Sequence, residues 1–169
     1  MKWFDKMRAQ YVKRWHTVHM DHDQSLADHT FNVMIIAREL ARRLNHDGDE
    51  QRLVLEAALE HDLNEVVTGD IPTPTKNRLS PDSKGHLAPN HFEGWGPAES
   101  IVKVADMLEA YFQITQHASG THSGQVFSYM CDQTNDYLDW LAECGSENET
   151  LAKKANEMIE EFFEGDRTW

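Results

Sequence analysis

Cysteine is almost missing from this chain of 169 residues, which contains only Cys131 and Cys144. Small secreted proteins that depend on disulfides carry many more cysteines in a shorter sequence. A zinc ribbon needs cysteines in closely spaced pairs, and these two residues are far apart. The sequence therefore predicts neither architecture, and we expect both residues to be reduced thiols on helices.

Long apolar runs are missing as well. No stretch approaches the roughly 20 apolar residues that a membrane-spanning helix requires. The N-terminal segment MKWFDKMRAQYVKRW mixes charged and aromatic residues and has no apolar core of the kind found in signal peptides. We therefore expect no contact with a membrane and a cytoplasmic location, either in a cell or in a phage-infected host.

Basic residues are outnumbered, with 16 Lys and Arg against 29 Asp and Glu and a formal net charge of −13 at pH 7. Proteins that bind nucleic acid nonspecifically need a basic surface to neutralise phosphates. The composition therefore argues against a nucleic-acid partner. It does not exclude a small anionic substrate, because a bound metal and a few local cations can reverse the field inside a pocket.

Strand-like alternation is not evident, whereas apolar residues recur at helical spacing in several segments. All five prolines lie between residues 72 and 97, which predicts a long Pro/Gly-rich loop there. Loops of this length in compact proteins are usually functional or mobile. The sequence predicts an all-α fold, with residues 1–169 forming one domain of five to six helices.

The first long helix is predicted to begin at a capping box formed by Ser25 and Asp28. Its inward stripe includes Val33, and His29 lies one turn earlier on the same stripe. The segment Asn45-His46-Asp47-Gly48 is predicted to end this helix.

The second helix is predicted to follow a cap at Asp49. Its inward positions are predicted to be Leu53, Ala57 and Leu59 or Glu60, with His61 continuing the stripe. A third helix is predicted from about Ala98, and two more over residues 125–143 and 147–163. The predicted inner face of the third helix contains Val102, Ala105, Leu108 or Glu109, and Phe112.

Four potential metal ligands, His29, His61, Asp62 and Asp106, belong to three of these helices. The two histidines occupy inward stripes, and Asp106 directly follows the inward Ala105. A buried carboxylate is costly unless it is paired or bound to a metal, so one shared cation would satisfy the set. Two nitrogen and two oxygen donors favour Mn, Co, Fe or Zn over Ca, and such an ion can activate water for hydrolysis.

Taken singly, these residues have simpler interpretations. His29 can be a satisfied core histidine, Asp106 can lie on a solvated helix edge, and a His-Asp dipeptide occurs by chance. The metal hypothesis depends on finding all four at inward or nearly inward positions.

Several segments resemble the HD-domain phosphohydrolases, metal-dependent enzymes with an H…HD…D signature on helices. The resemblance is strongest to the YfbR-type 5′-deoxynucleotidases and the related phage dATP triphosphohydrolases. It is carried by Arg14-Trp15 and by the strings SLADHTFNV, HDLNEVVTGDIPTPTK and VKVADMLEAY, and it spans about residues 10–115. It implies an HD-domain helical bundle in which His29, His61, Asp62 and Asp106 bind a divalent ion (Co, Mn, Zn or Fe, with Mg as a candidate second ion).

The resemblance also assigns roles to the residues that follow the His-Asp pair. It implies that Glu65 handles a proton near the metal, although Glu65 can instead orient His61. Asp70 is implied to lie near the sugar or the leaving oxygen with support from Thr68, yet Asp is common in turns for local reasons. Lys76 is implied to contact phosphate oxygens, with a solvated loop lysine as the alternative.

Arg14 and Trp15 complete the implied substrate site. Arg14 is implied to grip phosphate with paired hydrogen bonds. Trp15 is implied to pack against the deoxyribose or base and to leave no room for a 2′-hydroxyl. Without the resemblance, the pair would be a surface arginine beside a core anchor.

The implied function is metal-dependent hydrolysis at the 5′-phosphate of 2′-deoxynucleotides. The compact chain favours a dNTP triphosphohydrolase that converts dATP into deoxynucleoside and triphosphate, with dNMP 5′-nucleotidase activity as the alternative. A non-catalytic, metal-containing nucleotide-binding module is a third possibility, against which the intact Glu65, Asp70 and Lys76 argue. We also expect a homo-oligomer, supported by the amphipathic C-terminal helices.

The remaining histidines and one tryptophan have no role in this interpretation. We expect His16, His19 and His22 not to be metal ligands. His86, His91 and Trp95 have no counterpart in either group of enzymes.

Overall fold

The computed structural model describes residues 1–76, 78–80, 82 and 95–165. The helices in these ranges are α1 (Trp3–Lys6), α2 (Leu26–Arg43), α3 (Gly48–Glu60), α4 (Glu65–Thr68), α5 (Thr73–Lys76), α6 (Pro97–His117), α7 (Ser123–Ala142) and α8 (Ser146–Glu164), with a 3-10 helix at Met7–Tyr11. No β-strand occurs in this part of the chain, where two isolated bridges join Lys13 to Ser25 and Met20 to Ala118. The all-α prediction is confirmed.

Most of the predicted Pro/Gly-rich loop, including His86 and His91, lies outside the described residues. Among the helices that are described, none has the length and apolar character needed to cross a bilayer.

The core lies where α2 packs against α3 and α6, with α7 and α8 closing the other side of α6. The predicted stripe of α2 is buried through Val33, Ala37 and Leu40. Small side chains also occupy the contact, including Ala57 on α3 and Ala105 on α6. Because the side chains at a helix contact set the distance between the axes, these alanines bring the helices that carry the candidate ligands close together.

Helix α2 begins at the predicted capping box. The Ser25 hydroxyl accepts a hydrogen bond from the Asp28 backbone N–H, at 3.2 Å, and the Asp28 carboxylate accepts one from the Ser25 N–H, at 3.0 Å. These bonds satisfy backbone donors that the first helical turn cannot pair. They also fix the start of the helix one turn before His29.

The prediction for the start of α3 was wrong by two residues. Asp47, rather than Asp49, is the cap, and its carboxylate accepts from the N–H groups of Asp49 and Glu50. Gly48 is the first helical residue, although glycine there indicated a helix end.

The predicted inner face of α3 was also partly wrong. Leu53 and Leu59 are exposed, at 38% and 48% of their surface, and Glu60 is exposed. The buried stripe runs through Val54, Ala57 and Ala58 instead, and it continues to the buried His61 as predicted. Apolar residues stand next to each other at 53–55 and 57–59, so periodicity alone selects Leu53 in place of Val54 and does not separate the buried Ala57 and Ala58 from the exposed Leu59.

Helix α6 begins one residue before the predicted Ala98. Pro97 takes the first helical position, where its missing N–H costs nothing, and Gly96 precedes it with a φ of 56°. The predicted inner face is buried at Val102 and Ala105, and both Leu108 and Glu109 are buried. Phe112 is partly buried and its ring stacks on Phe162 of α8, with centroids 4.1 Å apart.

Replacing Ser25 by alanine should lower the free energy of unfolding by about 1 kcal/mol, because an N-cap hydroxyl is lost. Ser146→Ala is the matched control, since Ser146 begins α8 after the cap residue Gly145 and provides no cap itself. Urea denaturation of both variants measures the difference. Equal stabilities would show that the Ser25 cap contributes nothing to the fold.

Candidate active site

The four predicted metal ligands come together at the junction of α2, the end of α3, and α6. One donor atom from each of His29, His61, Asp62 and Asp106 lies within 4.8 Å of the other three. Among the described residues, this is the one group of clustered His, Cys, Asp and Glu side chains that could hold a metal ion. The helices α2 and α6 supply His29 and Asp106, while His61 and Asp62 follow directly after α3.

The spacing of the donor atoms fits one shared ion. His29 Nε2 lies 3.2 Å from His61 Nε2, 3.5 Å from Asp62 Oδ2 and 3.4 Å from Asp106 Oδ1. His61 Nε2 lies 3.3 Å from Asp62 Oδ2. Donors held at about 2.0–2.2 Å from a divalent ion are themselves roughly 3–3.5 Å apart in tetrahedral or octahedral geometry. The residues present therefore fit a divalent metal.

Both histidines are oriented by hydrogen bonds on the far side of the ring. His61 Nδ1 donates to the Ala58 carbonyl oxygen at 2.7 Å, and His29 Nδ1 donates to Glu109 Oε2 at 2.7 Å. A carbonyl or carboxylate oxygen can only accept, so each Nδ1 carries the proton. Each Nε2 therefore faces the centre of the group, which is the arrangement that a metal-binding imidazole needs.

Opposite charges dominate this buried group. Burial and the nearby Arg14 oppose protonation of His29, but Asp106, Asp62 and Glu109 outweigh them and raise its pKa to about 10. Burial opposes ionisation of Asp62, yet the two histidines hold its pKa well below the usual value. Burial likewise opposes ionisation of Asp106, but Lys103 and His29 lower its pKa. The surroundings favour a positive charge at the centre.

Glu65 opens helix α4 beside this group and is only 3% exposed. Its Oε1 accepts a hydrogen bond from Lys76 Nζ at 2.8 Å, whereas its buried Oε2 has no hydrogen-bond partner and lies 3.9 Å from Arg14 Nη1. Burial and the adjacent Asp62 raise the pKa of Glu65 to about 7 against the opposing effect of Lys76. This carboxyl group can therefore take up or release a proton near neutral pH.

Arg14 and Trp15 border the same space. Arg14 Nη1 lies 3.5 Å from Asp62 Oδ2, and the buried Nε of Arg14 has no hydrogen-bond partner. Trp15 has a φ of 58°, an uncommon conformation for a bulky residue. Its indole Nε1 donates to Gln24 Oε1 at 3.0 Å.

Asp70 lies in the turn that follows α4. Gly69 precedes it with a φ of 75°, which glycine adopts without steric cost. The Thr68 hydroxyl donates to the Gly69 carbonyl at 3.0 Å, so Thr68 supports the turn. Asp70 lines the adjoining cavity, whereas Thr68 is not among the residues that line it.

A cavity of about 980 Å³ opens beside the four ligands. The predicted residues Arg14, Trp15, His61, Asp62, Asp70, Lys76 and Asp106 form part of its wall. The opposite wall comes from α6 and α7, which supply Lys103, Met107, Tyr129, Met130, Tyr137 and Trp140. Sequence reasoning missed this wall, because α7 carries no recognised motif.

Three of the residues that were missed hydrogen-bond to the ligand group or to its partners. Lys103 donates to Asp106 Oδ2 at 3.1 Å, one helical turn away. Glu109 and Gln24, each 2% exposed, join the hydrogen-bond network behind His29. Glu109 could have been found from the sequence, because a carboxylate on the inner face of a helix requires a buried polar partner.

The residues without a predicted role lie elsewhere or outside the described ranges. His19 Nδ1 contacts the Ser119 hydroxyl at 2.7 Å, and His22 is near the His117 ring. His16, His19 and His22 are not members of the ligand group that the described residues form. Trp95 is partly buried against the core.

Comparisons with known proteins identify the family of this chain. The family model described as 5′-deoxynucleotidase YfbR-like matches residues 2–164, nearly the whole chain. The chain belongs to the YfbR-like family. Membership confirms the predicted HD-domain, metal-dependent phosphohydrolase.

Proteins with similar sequences include phage and bacterial enzymes. A dATP triphosphohydrolase of Salmonella phage PMBT28 is 34% identical over 149 residues, covering 80% of this chain and 77% of the relative. A 5′-deoxynucleotidase of Citrobacter koseri is 26% identical over 173 residues, covering 92% of this chain and 84% of the relative.

A solved structure shares the fold. The cyanophage S-2L HD phosphohydrolase DatZ, bound to dA and one catalytic Zn²⁺ ion, superposes with a TM-score of 0.74 at 23% identity. The match covers 95% of this chain and 98% of DatZ. At this sequence identity, the structural similarity shows that the two proteins share a fold.

In metal-free protein, Glu65→Gln should become increasingly stabilising, relative to the native chain, as pH rises. The folded-state pKa of Glu65 is about 7, above the value of about 4.5 for an exposed glutamate. The native chain therefore loses stability as pH rises through this interval, because a buried carboxyl group must ionise. Glutamine cannot ionise and avoids that loss.

The difference in Tm between variant and native chain, measured at pH 5 and pH 8, tests this expectation. Glu160→Gln on α8 is the control, since it removes the same charge at an exposed position. A Glu65→Gln difference that is equal at both pH values would contradict the raised pKa.

Proposed function

We propose that this chain hydrolyses 2′-deoxynucleoside 5′-triphosphates, with dATP as substrate and deoxyadenosine and triphosphate as products. The observation that carries this proposal is the position of the ligand group beside a cavity of about 980 Å³. Pockets of this size accommodate nucleotide-sized ligands. The phage relatives named dATP triphosphohydrolase, at 28–34% identity, support the choice of dATP.

Cationic side chains support a triphosphate in particular. Among the described residues, the Lys and Arg side chains that line the cavity are Arg14, Lys76 and Lys103. A triphosphate carries more negative charge than a monophosphate and needs more of these partners. The cavity therefore provides local positive charge in a protein whose net charge is −13.

The second candidate is hydrolysis of dNMP to deoxynucleoside and phosphate. The family name and the Citrobacter koseri relative, a 5′-deoxynucleotidase, favour it. Both reactions use the same ligand group and cleave the bond next to the 5′-oxygen. They differ in the number of phosphate groups that the cavity must hold.

His29, His61, Asp62 and Asp106 would hold the divalent ion, for which Mn, Co, Fe and Zn are the candidates. The mixed nitrogen and oxygen donors suit these ions, and the cyanophage relative binds a catalytic Zn²⁺. Such an ion, when bound, polarises a phosphate oxygen and activates water for attack on phosphorus.

The surrounding side chains supply binding and proton transfer. Glu65 takes the proton from the attacking water, since its carboxyl group has a pKa of about 7 and its Oε2 has no hydrogen-bond partner in the protein. Lys76 holds the other oxygen of Glu65 and faces the phosphates. Arg14 binds phosphate through a guanidinium group whose Nε is still without a partner.

Asp70 and Trp15 contact the leaving nucleoside. Asp70 lines the cavity after the turn that Thr68 supports, near the sugar or the leaving oxygen. Trp15 packs against the deoxyribose and leaves no room for a 2′-hydroxyl. A purely structural metal site would need neither these residues nor Glu65, which argues against a non-catalytic module. A single domain over residues 1–169, a cytoplasmic location and a homo-oligomer stay predictions.

Product analysis tests the proposal directly. We expect the protein, supplied with Mn²⁺ or Co²⁺, to convert dATP into deoxyadenosine and intact triphosphate, which chromatography resolves. Asp62→Asn should abolish this turnover, because a charged oxygen ligand becomes a neutral amide. Phosphate release from dAMP with dATP untouched would establish the second candidate. Turnover of neither nucleotide would refute phosphohydrolysis of deoxynucleotides.

Lys103→Met should lower kcat/KM for dATP by about 10-fold or more, because a hydrogen bond to a charged group contributes about 1.5–3 kcal/mol. The loss should be smaller for dAMP, which has fewer phosphate oxygens to contact. Lys154→Met is the matched control, since Lys154 also pairs with a carboxylate three residues later, Glu157. Equal losses for dATP and dAMP would remove Lys103 from the triphosphate site.

A further inference from the structure

A buried chain of hydrogen bonds connects Trp15 at the cavity to the metal-ligand histidine His29. Trp15 Nε1 donates to Gln24 Oε1 at 3.0 Å, and Gln24 Nε2 donates to Glu109 Oε1 at 2.5 Å. The other oxygen of Glu109 accepts from His29 Nδ1 at 2.7 Å. Two side chains thus separate the proposed sugar-contacting ring from the proposed metal ligand.

The direction of every bond in this chain is determined. The indole N–H can only donate, so the amide oxygen of Gln24 must face Trp15. The amide nitrogen then faces Glu109, whose carboxylate accepts from both Gln24 and His29. Reversing the amide would place two donors against each other at Trp15 and two acceptors against each other at Glu109.

Water cannot readily substitute for these partners. Gln24 and Glu109 are each 2% exposed, and His29 is fully buried. A buried polar group that loses its partner retains the full cost of its lost hydration. The network is therefore expected to hold one geometry.

Gln24 restrains the backbone of the substrate site as well. Its carbonyl oxygen accepts from the Arg14 backbone N–H at 2.9 Å, next to Trp15 with its φ of 58°. A strained backbone of this kind persists only where its surroundings hold it. Gln24 contacts both residues of the Arg14-Trp15 pair.

We propose that Gln24 and Glu109 are positioning residues that hold the Trp15 indole in register with the metal ligand His29. Glu109 orients the imidazole, Gln24 orients the indole, and their shared hydrogen bond fixes one relative to the other. The pair thereby sets the preference for 2′-deoxy over ribo sugars. This inference rests on the proposed function, which places the sugar against Trp15.

Exchanging the two side chains is the sharpest test. Gln24→Glu alone places two carboxylates against each other, and Glu109→Gln alone presents an amide to His29 and Gln24 in place of a carboxylate. In the double variant, the carboxylate at 24 accepts from Trp15 and from the new amide, whose oxygen accepts from His29. Asn32, 3.2 Å from Glu109 Oε1, can turn its own amide to match.

Two binding measurements, neither of which requires turnover, report the effect of exchanging the side chains. The first is the dissociation constant of Zn²⁺, measured by competition with a chelator. The second is the ratio of dissociation constants for adenosine and deoxyadenosine, measured on the metal-loaded protein by calorimetry. Each single variant should weaken metal binding by about 10-fold or more, which is the usual cost of disturbing the hydrogen-bond partners that orient a ligating histidine. Each should also reduce the deoxyadenosine preference, and the double variant should recover most of both losses.

Two further variants separate positioning from general damage. Trp15→Phe retains an aromatic ring without its N–H, and should reduce the deoxyadenosine preference while leaving the Zn²⁺ affinity unchanged. Gln51→Glu is the matched control, since Gln51 is a partly buried amide that donates to the His46 carbonyl, away from the site. It should alter neither readout.

A double variant no better than the worse single variant would overturn the proposal. So would a deoxyadenosine preference that is absent in the native chain or unaffected by Gln24→Glu and Trp15→Phe. These outcomes are independent of catalysis. A native chain that prefers deoxyadenosine but hydrolyses no deoxynucleotide would instead refute the proposed function.

Discussion

The hydrogen bond between His29 and Glu109 is the contact on which the rest of the site depends. It joins α2 to α6 inside the core, where a buried imidazole and a buried carboxylate each need a polar partner. The bond also points the free nitrogen of His29 toward Asp62, His61 and Asp106. The same two atoms meet two requirements. The fold needs a partner for a buried carboxylate, and the site needs an oriented imidazole.

Charge is distributed differently at the site and over the whole molecule. The net charge of −13 describes a surface that repels anions, whereas the cavity carries Arg14, Lys76 and Lys103. These cations are themselves paired with Asp62, Glu65 and Asp106, so a contact with phosphate would compete with an internal ion pair. A bound metal would neutralise the two aspartates and release their cations toward an anionic substrate.

The sequence could predict the parts of this molecule that depend on local patterns. The Ser25 cap follows from a short motif, and the inward His29 follows from helical spacing on α2. The stripe of α3 could not be resolved, because adjacent apolar residues at 53 and 54 satisfy the same periodicity. The correct choice depends on which one meets α2 and α6 across the core.

The network behind His29 needs more than local patterns. Gln24 and Glu109 are 85 residues apart, and no pattern in either segment indicates that they meet. The cavity wall formed by α7 could not be predicted for the same reason, because Tyr129 and Trp140 line the cavity only through the packing of α7 on α6. The resemblance to the HD-domain phosphohydrolases pointed to His29, His61, Asp62 and Asp106, which the structure brings together, because a family motif carries information on long-range contacts that periodicity lacks.

Helix α6 carries Lys103, Asp106 and Glu109 at intervals of three residues. Each interval falls about 60° short of a full turn, so the row winds around the helix instead of running straight along it. The side chains are 49%, 24% and 3% exposed in that order, so a cation, a candidate metal ligand and a buried anion follow one another from the surface inward. One inserted residue would rotate everything beyond it by about 100° and break this gradient. The number of α6 residues between these three positions is therefore a constraint on the site.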